Sequence, residues 1–241
     1  MRRNLFILKI LIFIAIFSQK GFSGSFPGQL SGDDLKNINL KLAGNLAHRS
    51  WSMTNTKPEK DPDLTLGLES SLGLNVNIDA YGDKQGRTPS IFAIPKIYLS
   101  VGFPQDFHIS TSLLPGIAGI STYGFGSELF FLRHNSLSSS ILIHYSHTKL
   151  FGDYLANTQG AQLTLDYAFN NFSLYAAGGI TSVESKIKSS LLKAGSEDKY
   201  YGAFHSHFIL GTKIEGDFPF LIQIESVKTQ PTLALIITKE F

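Results

Sequence analysis

No cysteine occurs anywhere in this 241-residue chain. That absence excludes a disulfide scaffold, a thiol nucleophile, a thiolate metal site and a lipid anchor attached through a cysteine. Charge is scarce as well, with Asp, Glu, Lys and Arg making up 17% of residues, below the roughly 25% usual in soluble proteins. Because hydrophobic residues reach 43%, the low charge does not signal wholesale disorder. A formal net charge of +2 gives no basis for a nucleic-acid partner. Long apolar runs are missing too, apart from Leu5 to Phe17. No other stretch approaches the ~20 residues that a spanning helix needs. What the chain holds instead is 22 glycines, 19 phenylalanines and 9 tyrosines, in a length that suits one all-β domain.

The amino terminus reads as a targeting segment. Met1-Arg2-Arg3-Asn4 is a short basic head, Leu5 to Phe17 an apolar core broken only by Lys9, and Gly21 and Ser23 are small residues two apart. This is the pattern of a secretory signal peptide, with cleavage expected after Ser23. The apolar core is too short for a membrane-spanning helix. Cleavage takes four of the 21 bases and none of the 19 acids, so the exported chain becomes slightly acidic.

Period two governs the rest. Leu64, Leu66, Leu68, Leu72, Leu74, Val76 and Ile78 share one parity, while Thr65, Gly67, Glu69, Ser71, Gly73, Asn75 and Asn77 share the other. A strand sends alternate residues to opposite faces, so one face is greasy and the other small and polar. Ala161, Leu163, Leu165, Tyr167 and Phe169 repeat the pattern, as do Phe218, Phe220, Ile222 and Ile224. Leu233, Leu235, Ile237 and the final Phe241 do so again. A soluble sandwich also alternates. Large apolar residues opposite a face rich in Gly, Ser, Thr and Asn suit a polar lumen inside a lipid-exposed wall.

Connection lengths point the same way. Strands are expected at 62–78, 92–102, 106–114, 120–132, 139–149, 159–169, 172–184, 200–212, 217–227 and 231–241. The turns then alternate between short ones, near 103–105, 133–138, 170–171 and 213–216, and outward loops near 79–91, 115–119, 150–158, 185–199 and 228–230. Short turns at one end and longer loops at the other, with an even strand count, are the barrel signature. The expected fold is therefore all-β: a transmembrane antiparallel β-barrel of about ten strands, covering 62–241. Tyr123, Tyr145, Tyr154, Tyr200, Tyr201, Phe107 and Phe218 fall near strand ends, where aromatic girdles meet the headgroups. Residues 24–61 are ambiguous. Leu35, Ile38, Leu42 and Leu46 fit a helical face, but Ile38, Leu40, Leu42 and Leu46 also share a strand parity. Parity of the wall favours a short helical or plug segment, or a periplasmic arm, over an eleventh strand. A hidden hairpin would raise the count to twelve.

The closing strand, with Leu233, Leu235, Ile237 and terminal Phe241, resembles the C-terminal signal of Gram-negative outer-membrane barrels. More locally, Ile94-Pro95-Lys96-Ile97-Tyr98 running into Gly102-Phe103-Pro104 resembles a group of proteobacterial outer-membrane barrels with no assigned activity. So do Gly126-Ser127-Glu128-Leu129, Ile143-His144-Tyr145-Ser146-His147-Thr148 and Tyr175-Ala176-Ala177-Gly178-Gly179. The likeness spans residues 30–241 loosely. It implies an outer-membrane location, with lipid and the barrel assembly machinery as partners, and supplies no catalytic residue.

Reactive groups are few. His144, His205 and His207 share the polar parity of their strands, with Asp166 and Glu225 as expected lumenal neighbours. His205 and His207, two apart, have a spacing that could offer two imidazoles to a metal. A hydrogen-bonded polar network filling a narrow lumen is the favoured reading. No acid pair, phosphate loop or serine elbow is present, so no catalytic residue, cofactor or metal is assigned and an enzyme is not expected. The leading expectation is a narrow channel or binding barrel for a small solute, which could be hydrophobic given inward-facing Leu142, Ile209, Leu221 and Ile236. A structural or surface-interaction barrel acting through 79–91, 150–158 and 185–199 is the alternative. A membrane-embedded hydrolase using the histidines ranks third. Deleting Phe241 is expected to lower sharply the yield of assembled, heat-modifiable protein, since the last strand must close the wall. Gel mobility of boiled and unboiled membrane fractions checks this.

Overall fold

Strands with one greasy and one polar face bury the greasy side against lipid only if the sheet has no edge, because unpaired backbone groups are costly there. The computed structural model meets that demand. It describes residues 48–49, 62–73, 92–117, 120–150, 152–188, 199–228 and 230–240. Ten antiparallel strands close on themselves: β1 (Asp63–Gly73), β2 (Phe92–Phe103), β3 (Phe107–Ile117), β4 (Ile120–His134), β5 (Leu137–Leu150), β6 (Tyr154–Ala168), β7 (Phe172–Ile187), β8 (Lys199–Ile214), β9 (Phe220–Val227) and β10 (Gln230–Glu240). Each pairs with its sequence neighbours, and β1 pairs with β10, setting Leu68 opposite Ile237 and Leu72 opposite Leu233. With the ring closed at ten, the twelve-strand alternative falls away. Among the described residues there is no helix. The expected signal peptide at residues 1–23 and the expected plug or arm at 24–61, other than His48 and Arg49, lie outside the described residues, as do 74–91 and Phe241.

The two faces sort as their parity demands. Ile143, Phe204 and Leu210 are 62%, 75% and 64% exposed on the outer side, where lipid would cover them. Ser110, Ser112, Ser140, Ser146, Thr148, Thr158 and Thr181 point inward and are buried. Tyr167, Phe169 and Phe172 stack at the short-turn end, with ring centroids 4.9 and 4.5 Å apart. Tyr154 does not join a girdle. It faces the lumen and is fully buried.

Turn chemistry fixes the strand ends. The connection between β4 and β5 is Asn135-Ser136, with Asn135 in the left-handed region at φ 51°, which asparagine tolerates better than most residues. Asp106 does the same at φ 59° before β3. A register shift between Phe130 and Leu132 bulges β4 near that end, so Phe131 and Leu132 both face outward.

One expected external loop is not a loop. Residues 154–158 extend β6, pairing Tyr154 through Thr158 with Ile187 through Val183, and only 151–153 connect it to β5. Gly152, Asp153 and Asn157 resemble turn composition, but Ala156 and Thr158 are the small residues that a crowded lumen face takes. The pairing likewise carries β7 through Ser185 to Ile187.

The wall assignment generates a test. Ile143→Arg, near the middle of β5, is expected to cost about 2–4 kcal/mol, whereas Ile143→Leu should cost less than about 1.5 kcal/mol. Denaturant-dependent refolding into lipid vesicles measures both. Equal costs would mean that Ile143 does not face lipid.

Candidate functional site

Lumen parity puts Glu69 of β1, Lys96 of β2 and Glu225 of β9 inside the barrel, each 2% exposed or less. Buried carboxylates are costly unless paired and hydrogen-bonded. Lys96 Nζ donates to Glu69 Oε1 at 3.2 Å. The remaining positive charge comes from outside the wall, in Arg49. Its Nε donates to Glu225 Oε2 at 2.7 Å and Nη2 to Glu225 Oε1 at 2.9 Å. Its Nη1 donates to Glu69 Oε1 at 2.8 Å. One planar guanidinium thus joins β1 to β9 and engages both oxygens of Glu225 as a fork, the geometry that arginine offers and lysine cannot.

The network spreads around the barrel from there. Gln223 Nε2 donates to Glu225 Oε2 at 2.8 Å, and Tyr175 OH donates to Gln223 Oε1 at 2.9 Å. His207 Nε2 lies 3.5 Å from Glu225 Oε1. Gln162 Nε2 donates to His207 Nδ1 at 2.7 Å and reaches His144 Nε2 at 3.5 Å, so one amide bridges two imidazoles. An amide nitrogen only donates, which makes His207 Nδ1 an acceptor and points its Nε2–H toward Glu225.

His48, beside Arg49, occupies its own seat. Its Nδ1 and Nε2 contact the hydroxyls of Ser112 and Ser110 at 2.9 and 2.8 Å. Its ring stacks on Tyr98 with centroids 6.3 Å apart. Gly124 and Gly126 of β4 make the space: a Cβ at either would meet His48 atoms at 2.7 and 2.8 Å.

Of the residues expected from sequence, the structure brings His144, His207 and Glu225 together. His205 sits two residues away on β8, 8% exposed, opposite Thr181 of β7. Asp166 belongs to another layer, opposite Ser138 and Tyr175 in the pairing and within reach of the charges of Lys213 and Glu128. Arg49, His48, Glu69, Lys96, Gln162 and Gln223 were not singled out by sequence. Most of the cluster is hydrogen-bonded, while His144 Nδ1 and His207 Nε2 make no hydrogen bond among the described residues. Thr181 Oγ1 lies 3.0 Å from His207 Nδ1, which would place a hydroxyl, an imidazole and Glu225 in a row, but Gln162 donates to the same nitrogen and Arg49 holds the carboxylate. Among the described residues, no group of three His, Asp or Glu side chains is placed to hold a metal ion.

Closed pairing, an apolar exterior and a charged interior define a small transmembrane β-barrel with an occupied lumen. No family model matches the chain, and a search of curated proteins gives no match. Among solved structures it is similar to the N-terminal β-barrel domain of Pseudomonas aeruginosa OprF, at 7% identity over 73% of this chain and 97% of that one, with a TM-score of 0.38. It is also similar to the KdgM porin, at 7% identity over 73% and 99%, with a TM-score of 0.39. The outer membrane protease OmpT from Escherichia coli matches at 8% identity over 79% and 98%, with a TM-score of 0.37. These are distant likenesses of shape, and the architecture rests on the strand pairing itself.

The seat of His48 can be checked by a double-mutant cycle. Gly124→Val is expected to destabilise the barrel by about 1–3 kcal/mol through overpacking, and His48→Ala in the same chain should recover most of that loss. Denaturant unfolding of the single and double variants gives the coupling. Additive costs would separate the two residues.

Proposed function

We propose that the protein is an integral outer-membrane barrel of a Gram-negative bacterium, exported by its signal peptide, that serves as a narrow binding or passage barrel for a small polar solute. The side chains of His48 and Arg49 stand within its lumen. The observation that carries this reading is the origin of the central charge. A purely structural barrel can complete its interior with strand side chains alone, whereas here the wall presents Glu225 and Glu69 with Lys96 and leaves the fork to a residue that no strand carries. A wall with an internal place for a separate group suits a barrel that holds something. Ten strands also lie between the eight that side chains can fill and the sixteen that leave an open channel. The charged mid-lumen favours a polar solute over a hydrophobic one. Lipid covers the outer face, and the assembly machinery is the expected reader of Leu233, Leu235, Ile237 and Phe241.

Planar-bilayer recording of the purified, refolded chain tests the reading. The wild type is expected to conduct weakly, because the guanidinium, held by β1 and β9 on either side of β10, stands within the lumen. Arg49→Ala should conduct more, and Arg49→Lys, which keeps the charge and loses the fork, should fall between. Heat-modifiable mobility establishes that each variant is assembled. Equal conductance in all three would remove the occluded-channel reading in favour of a filled structural barrel.

A further inference from the structure

The seat of Arg49 has the properties of a ligand site. Its carboxylates are held in place by groups other than Arg49: Gln223 donates to Glu225 at 2.8 Å and is itself fixed by Tyr175, while Lys96 donates to Glu69 at 3.2 Å. The wall therefore orients two acids and one base before any guanidinium arrives, which is the preorganisation a binding site needs. Without Arg49 the described groups of that constellation, two carboxylates and Lys96, sum to one negative charge, with both Glu225 oxygens and one of Glu69 directed at the place of the guanidinium. A monocation with a planar set of N–H donors satisfies it. An ammonium or a sodium ion matches the charge but not the fork.

We infer that the Glu69–Glu225 seat binds a free guanidinium-bearing solute, which exchanges with the Arg49 side chain. The inference rests on the proposed binding-barrel function and names its solute class. Exchange follows from electrostatics. Buried carboxylates left unpaired are strongly unfavourable, so Arg49 leaves readily only when another cation takes its place.

The test is chemical rescue in the full-length chain. Arg49→Ala protein is refolded in detergent with about 10 mM guanidinium chloride, far below denaturing levels, or with equal sodium chloride or methylammonium chloride. Guanidinium alone is expected to raise the thermal transition of the assembled barrel. If the variant does not assemble unaided, guanidinium should restore the heat-modifiable form where the other salts do not. Arg49→Ala combined with Glu225→Gln should lose roughly tenfold or more in guanidinium affinity by calorimetry. Agmatine should bind Arg49→Ala more tightly than it binds the wild type, in which Arg49 competes. Equal effects of the three salts, or an undiminished response in the double variant, would overturn the inference. Raised conductance in Arg49→Ala without any guanidinium response would leave the channel reading standing and remove this one. Guanidinium stabilisation with unchanged conductance would keep the site and remove the channel.

Discussion

Two carboxylates that do not reach water, Glu69 and Glu225, set the terms for the interior of this barrel. Removing one partner from such a buried pair typically costs about 3–5 kcal/mol, because a charge is left uncompensated. The wall supplies Lys96 to one of them, and Arg49 serves both. Gln223 and Tyr175 are arranged outward from Glu225 on one side, and His207, Gln162 and His144 on the other, linked by hydrogen bonds except at the His207–Glu225 approach of 3.5 Å. Such a chain is worth most when complete, since a single unsatisfied member in a low-dielectric interior is costly. The same closure that hides the backbone from lipid thus confines the charges, and confinement makes Arg49 the element on which the mid-lumen depends.

The wall was legible because period two is a strong signal over ten to sixteen residues, and because one face must be greasy in lipid. Strand number, order and inward parity follow from it. The loop expected at 150–158 was not legible. Its glycine, aspartate and asparagine look like turn residues, and small polar residues serve equally as loop and as lumen lining. Pairing with Val183 to Ile187 decides between these, and pairing is a nonlocal fact that no window of local sequence contains.

The candidate site was legible by face and not by level. Parity sent His144, His205, His207, Asp166 and Glu225 inward, but shear between strands decides which inward residues share a layer. Hence His207 meets Glu225 while Asp166 lies across from Ser138 and Tyr175. Arg49 was hidden for a different reason. It lies in a segment whose apolar spacing fits helix and strand alike, so no face could be assigned to it. A balance sheet of charge held the missing clue. Among the described residues, the buried acids on the strands are Glu69, Glu128, Asp166 and Glu225, and the buried lysines are Lys96 and Lys213. A lumen with that deficit calls for a cation from off the wall.

Glycines carry the complementary information, as volume rather than charge. Gly124 and Gly126 stand where His48 lies, and Gly160 stands against His144. Gly211 stands against Tyr175, whose ring would collide with any added side chain. These four lumen-facing glycines therefore mark large side chains arriving from elsewhere, His144 and Tyr175 being members of the Glu225 network. Segments read from the sequence fit the same pattern: Lys96 and Tyr98, Gly126, His144 and Tyr175 all face the lumen. Outward positions in these motifs need only be apolar, a demand many residues meet, whereas an inward position must fit one neighbour in size and hydrogen bonding. What distinguishes this barrel from others of its size is thus written on the inner face, and in the one arginine that the inner face was shaped to receive.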